Sequence, residues 1–166
     1  MSTILALPIL LVVMMLQSVI ISRLPLLSGS ADLVLLVIVA WSLQERVKNA
    51  WFWGLVGGVL VSFISAMPFF TPLIGYLLVV FLARLLRSRI WQIPILAMLT
   101  VTVVGTFLMH FLDIVMLFIN GQPVPFQESL NYVTMPSVLL NLILALPVYA
   151  LMADLAKLVY PAEVEV

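Results

Sequence analysis

The chain has 166 residues, of which 65% are hydrophobic and 8% charged, with seven basic and seven acidic side chains and no cysteine; its mean hydropathy is +1.31. Soluble domains run nearer ~45–50% apolar and ~25% charged, so a water-soluble fold is excluded, and the balanced charge leaves no field to attract nucleic acid. Without cysteine there is neither a disulfide framework nor a thiolate metal site.

At roughly 20 residues per span the chain has room for about six membrane helices and short loops, with little left for an extramembrane domain. The first apolar run, near 4–22, lacks a basic leader and a small-residue cleavage site, so it reads as a retained helix rather than a signal peptide. The second, near 31–44, is only roughly 14 residues, about 21 Å of helix, and must lie deep among its neighbours or borrow polar flanks to cross. Further spans are predicted near 50–66, 72–87, 93–119 and 132–159. Breaks fall at Pro25 with Ser28-Gly29-Ser30, at Glu45-Arg46-Val47-Lys48-Asn49, at Met67-Pro68 with Thr71-Pro72, at Arg87-Ser88-Arg89, and at Asn120-Gly121-Gln122-Pro123-Val124-Pro125. There is no internal repeat.

Basic residues near span ends are retained in the cytoplasm. With the N-terminus inside, Arg46, Lys48, Arg84, Arg87, Arg89 and Lys157 all fall inside and only Arg23 outside, so both termini are predicted cytoplasmic. Trp51, Trp53 and Trp91 then sit at inner span ends and Tyr132 at an outer one, where amphipathic rings favour the interface.

An ionisable group inside a membrane is a functional candidate. Asp113 and Asp154 are expected at opposite sides of the bilayer, which forbids the proton-sharing carboxylate pair that an intramembrane aspartyl hydrolase needs. His110 and Asp113, spaced i,i+3 near the outer end of the fifth span, read as a locally satisfied polar pair, with a proton relay or a ligand contact as the alternative. Asp154 and Lys157 read as an interfacial ion pair. Neither a nucleophile elbow nor a phosphate-binding loop is present, so no catalytic residue, metal or cofactor is expected.

Gly54, Gly58, Ser62 and Ala66 recur every four residues along the third span and form a ridge of small side chains. Such a ridge packs either on a helix of the same chain or on a partner, and it marks the third span as central. Asp32 precedes an apolar run and is predicted to cap the second helix.

Several of these segments carry a resemblance. Ser30-Ala31-Asp32 running into Leu33 through Trp41, then Trp53-Gly54-Leu55-Val56-Gly57-Gly58 through Ser62, Ser65-Ala66-Met67-Pro68, and Pro72-Leu73-Ile74-Gly75-Tyr76 resemble the bacterial rod shape-determining protein MreD family over roughly residues 15 to 90. The chain departs from that pattern at Ala31, where many members have proline, and at Ser62, where many have an acidic residue whose role therefore does not transfer. The resemblance implies a non-enzymatic subunit of the cell-elongation machinery in the cytoplasmic membrane. Such a subunit binds the bitopic coiled-coil protein MreC and helps couple MreB filaments to RodA and a class B penicillin-binding protein. It also implies a six-helix fold similar to the substrate-binding S-components of energy-coupling-factor vitamin transporters, which supplies the alternative function, with His110, Asp113 and the 120–131 loop around an outward-facing pocket.

Overall fold

Apolar runs of this kind satisfy their backbone amides internally, as helix, which is what a bilayer would require of them. The structure is a computed structural model and describes residues 2–20, 28–89 and 93–161. It contains α1 (Ser2–Ile20), α2 (Leu33–Leu43), α3 (Ala50–Ile64), α4 (Phe70–Arg89), α5 (Pro94–Ile119), a single turn α6 (Phe126–Glu128), a π-helical segment Ser129–Thr134, and α7 (Met135–Val159). The last three make one continuous helical run, Phe126–Val159. Arg23, Pro25 and Trp91, and the side chain of Arg89, lie outside the described residues.

Among the described residues three runs, Phe70–Ser88, Pro94–Ile119 and Phe126–Val159, are long and apolar enough to cross a membrane, where six such spans are predicted from the sequence. The 11 residues of α2 give about 16 Å of helix against a hydrocarbon core of ~30 Å. The helix lies deep instead: every residue from Val34 to Leu43 is buried, and it touches α1, α3, α4, α5 and α7. A helix that is apolar on all sides and too short to cross a bilayer can give every face to its neighbours. The centre of the bundle is therefore α2 and not the third helix, whose Leu55, Phe63 and Ile64 are exposed.

Boundaries shift for local reasons. Helix α3 stops at Ile64, with Ser65 N–H closing onto Val61 O at 2.8 Å. Ala66 therefore lies beyond the helix, exposed, and does not extend the small-residue ridge. Helix α5 ends where Gly121 takes φ +73; Gly121 N–H bonds Phe118 O and Gln122 N–H bonds Leu117 O, a glycine-terminated C-cap.

Successive long helices alternate in direction, which gathers the placed basic side chains at one end. There Arg84 Nη1 donates to Val47 O (2.8 Å), Arg46 Nη1 to Tyr160 O (2.9 Å) and Arg87 to Glu45 O, tying the 44–49 loop to α4 and to the end of α7. Lys157 and Asp154 form the predicted i,i+3 ion pair at 2.8 Å, both largely exposed. Trp53 is not an interfacial ring. It is fully buried and stacked on Trp41 with ring centroids 4.4 Å apart, whereas Trp51 is exposed.

Candidate functional site

The ridge on α3 meets α4 of the same chain. A Cβ on Gly58 would stand 2.8 Å from Leu73 Cα, and one on Gly54 would stand 2.6 Å from Val80 Cγ2. Gly57, off the ridge, faces Ile38 of α2 at 2.5 Å on the same construction. Ser62 is buried, its Oγ within bonding distance of Gly58 O (2.7 Å) and Phe69 O (2.6 Å). Gly54, Gly58 and Ser62 thus serve close helix packing within the chain, and that face holds no room for a partner.

The polar side chains collect instead at the end of the bundle opposite the basic loops. Asp32 stands in extended conformation just ahead of α2, and its Oδ1 accepts from Leu35 N–H at 2.9 Å, the predicted cap. Its Oδ2 accepts from the Tyr76 hydroxyl at 2.8 Å, which joins α2 to α4. Asp32 N–H donates to Asn141 Oδ1 (2.8 Å), Asn141 Nδ2 to Thr106 Oγ1 (2.9 Å), and Thr106 Oγ1 to Thr102 O (2.8 Å), which carries the network through α7 into α5. From α1, Gln17 Oε1 accepts the free amides of Leu33 (2.9 Å) and Val34 (3.3 Å). The first turn of α2 is therefore satisfied by side chains from its own cap and from α1, the helix terminus that an apolar bundle can least leave unpaired.

These groups wall a cavity of about 270 Å³ whose polar lining includes Gln17, Asp32, Tyr76, His110, Asp113 and Asn141. His110 does not pair with Asp113. Its Nδ1 lies 3.0 Å from Thr134 Oγ1, a hydroxyl that also lies 3.3 Å from Ser129 O. Thr134 belongs to the π-helical segment, so the irregular turn delivers a hydrogen-bond partner to the ring. Asp113 has no hydrogen-bond or ion-pair partner among the described residues and shares the cavity with Asp32. Asp154 is at the opposite end, beside Lys157. The carboxylates that the topology brings together are consequently Asp32 and Asp113, a pairing that separation along the chain concealed.

Gln17, Tyr76, Thr106 and Asn141 are the residues missed by sequence reasoning. Asn141, within Leu139-Leu140-Asn141-Leu142-Ile143, and Gln17, after Met14-Met15-Leu16, are isolated amides in apolar helices, and that isolation is the signal that a partner inside the bundle awaits them. Among the described residues, no group of three or more His, Cys, Asp or Glu could hold a metal ion. Chemically the cavity offers acceptors: two carboxylates, one of them without a hydrogen-bond partner among the described residues, and no lysine or arginine among its described lining residues. No family model, curated protein or solved structure matches the chain.

Proposed function

We propose that the chain is a non-enzymatic assembly subunit of the bacterial cell-elongation complex, a divergent relative of the MreD family seated in the cytoplasmic membrane with both termini cytoplasmic. In this reading it binds the bitopic protein MreC and, through it, helps couple MreB filaments to RodA and a class B penicillin-binding protein. The observation that carries the reading is that the segments bearing the resemblance interlock with one another. Asp32 accepts from Tyr76, Trp41 stacks on Trp53, Gly57 receives Ile38, and Gly58 lies against Leu73. Contacts among the members of such a pattern are what a shared fold would require, and they support the reading. Since the small-residue ridge is taken by α4, the partner is left the apolar faces of the other helices, among them Leu7, Val12 and Met15 on α1 and Leu139, Ile143 and Leu146 on α7, all exposed.

The polar cavity favours one second reading, a small-ligand-binding subunit with a fold similar to the S-components of energy-coupling-factor vitamin transporters. Fold resemblance does not separate the two, because function resides in the site and its partners. Gentle extraction from native membranes, capture through a C-terminal tag and identification of stoichiometric partners separates them. A bitopic coiled-coil protein with peptidoglycan synthases is expected, and ATPase subunits in their place would overturn the assembly reading.

A further inference from the structure

We propose that the cavity at the basic end of the bundle, between the loop after α2, the end of α4, the start of α5 and the end of α7, holds the phosphate of an anionic phospholipid. The site rests on the membrane placement given above and not on the chain's protein partners.

Depth comes first. The three runs long and apolar enough to span a bilayer each begin or end here, and they contribute Arg87, Pro94 and Lys157 to the cavity wall. In a bilayer the ends of such runs lie at the level of the lipid headgroups. The floor is apolar and buried, made by Leu43, Ala97 and Ala156, while Glu45, Arg46 and Lys157 are exposed at the rim. The cavity therefore opens from the bundle at the depth where lipid phosphates lie.

Charge gives the sign of the ligand. Among the described lining residues Arg46, Arg87 and Lys157 are cationic and Glu45 is the one acid. Arg46 Nη1 donates to Tyr160 O at 2.9 Å, and Arg87 donates to Glu45 O. A carbonyl fixes a guanidinium in place without cancelling its charge, and each of these contacts uses one of five N–H donors. Lys157 is paired with Asp154 at 2.8 Å and keeps two further N–H donors. Tyr149 adds a hydroxyl to the wall, and the first turn of α5, at Pro94 and Ala97, adds the positive end of a helix dipole. Donors held in position on this side of neutrality suit a phosphate, which arginine takes through two N–H groups at once.

Space and surroundings select the class of anion. A cavity of about 280 Å³ corresponds to roughly nine water volumes at ~30 Å³ each, room for a phosphodiester and a glycerol but not for acyl chains. The chains have a surface beside it, because Ile93, Ile95 and Leu96, next to Pro94 and Ala97 in sequence, are all exposed. Exposed apolar side chains adjoining a cationic pocket fit a molecule that has both a phosphate and a tail. Basic pockets between membrane helices hold anionic headgroups in this way, which favours a lipid over a soluble phosphate compound.

The test uses the full chain in a non-ionic detergent, with dioctanoyl phosphatidylglycerol as the anionic probe and dioctanoyl phosphatidylcholine as its zwitterionic counterpart. Glycerol 3-phosphate and inorganic phosphate serve as soluble probes. Native mass spectrometry counts the molecules bound, and the thermal unfolding midpoint reports whether they stabilise the bundle. Phosphatidylglycerol is expected to bind saturably, with phosphatidylcholine and both soluble phosphates weaker by roughly tenfold or more. Arg46→Gln and Lys157→Gln are each expected to weaken that binding roughly fivefold. Lys157 and its partner Asp154 are both largely exposed, so that variant leaves the packing of the bundle intact. Lys48→Gln, the same charge change in the same loop but outside the cavity lining, is expected to leave binding unaltered. An equal loss in Lys48→Gln would mean a diffuse attraction to the basic end and would overturn the site. No saturable binding, or equal binding of phosphatidylcholine, would overturn it as well, and soluble phosphates binding as tightly as the lipid would overturn its assignment to a phospholipid. None of these outcomes bears on which proteins the chain captures.

Discussion

The Tyr76 hydroxyl donates to Asp32 Oδ2 at 2.8 Å while the same carboxylate caps α2 through Oδ1 at 2.9 Å, so one side chain both terminates the central helix and fastens it to α4. Tyr76 is 1% exposed, so its hydroxyl has little access to water, whereas Asp32 is partly exposed on the cavity wall. Tyr76→Phe removes the donor and strands an acceptor, for a loss of roughly 1–3 kcal/mol. Asp32→Ala strands the hydroxyl and also removes the cap, adding about 1 kcal/mol. Unfolding in mixed micelles of rising sodium dodecyl sulfate fraction should therefore rank Asp32→Ala below Tyr76→Phe. The double variant should lose less than the sum, because the two share one bond.

The two neighbouring glycines of α3 should behave differently. At Gly58 a methyl group would meet the backbone of α4, 2.8 Å from Leu73 Cα, and backbone yields only by separating the helices. At Gly57 the obstacle is Ile38 Cδ1, the far end of a side chain that can rotate away. Gly58→Ala is expected to cost on the order of 1–3 kcal/mol, as overpacking does, and Gly57→Ala distinctly less. The same unfolding assay checks the order, and equal losses would mean that the α3 to α4 contact is looser than drawn. Gly58→Leu should fail to fold, so its loss of partners would report on the bundle and not on a docking face.

What could be read from the sequence follows from the period of each signal. Apolar runs give helices, and a carboxylate ahead of Leu33-Val34-Leu35 gives a cap, because both signals are local. The brevity of the second run pointed to burial as one of two options, and burial is what the fold adopts. Periodicity cannot show which side of the small-residue ridge faces inward. It can equally not show that residues 113 and 32 line one cavity, since that depends on how six helices are arranged. The start at Phe126, ahead of the predicted 132, goes with a π-helical segment that has no hydropathy signature, whereas the stop at Ile64 lies two residues before the end expected from the Met67-Pro68 break.

Asn141 and Thr106 provide a direct measure of a polar contact in the bundle. Asn141 Nδ2 donates to Thr106 Oγ1 at 2.9 Å, and both side chains are buried. A double-mutant cycle with Asn141→Ala and Thr106→Val should return a coupling near ~0.6 kcal/mol and not above ~1.7, the range for interhelical bonds in lipid. Asn141→Ala alone should cost more than Thr106→Val alone, because it also deprives Asp32 N–H of its acceptor at 2.8 Å.

Orientation is open to an equally direct test, since the chain has no cysteine to mask. Ser88 is exposed at the end of α4 among the basic residues, and Gln122 is exposed in the loop after α5 at the opposite end. Retention of Arg46, Lys48, Arg84 and Arg87 on the cytoplasmic side would put Ser88 inside and Gln122 outside. A membrane-impermeant maleimide applied to spheroplasts should label Gln122→Cys at once and Ser88→Cys only after lysis. With that outcome the Asp32 and Asp113 cavity lies in the outer half of the bundle. Labelling in the reverse order would place the cavity toward the cytoplasm and the basic loops outside. MreB filaments could not meet those loops in that arrangement, and the assembly reading would lose its route to the cytoplasm.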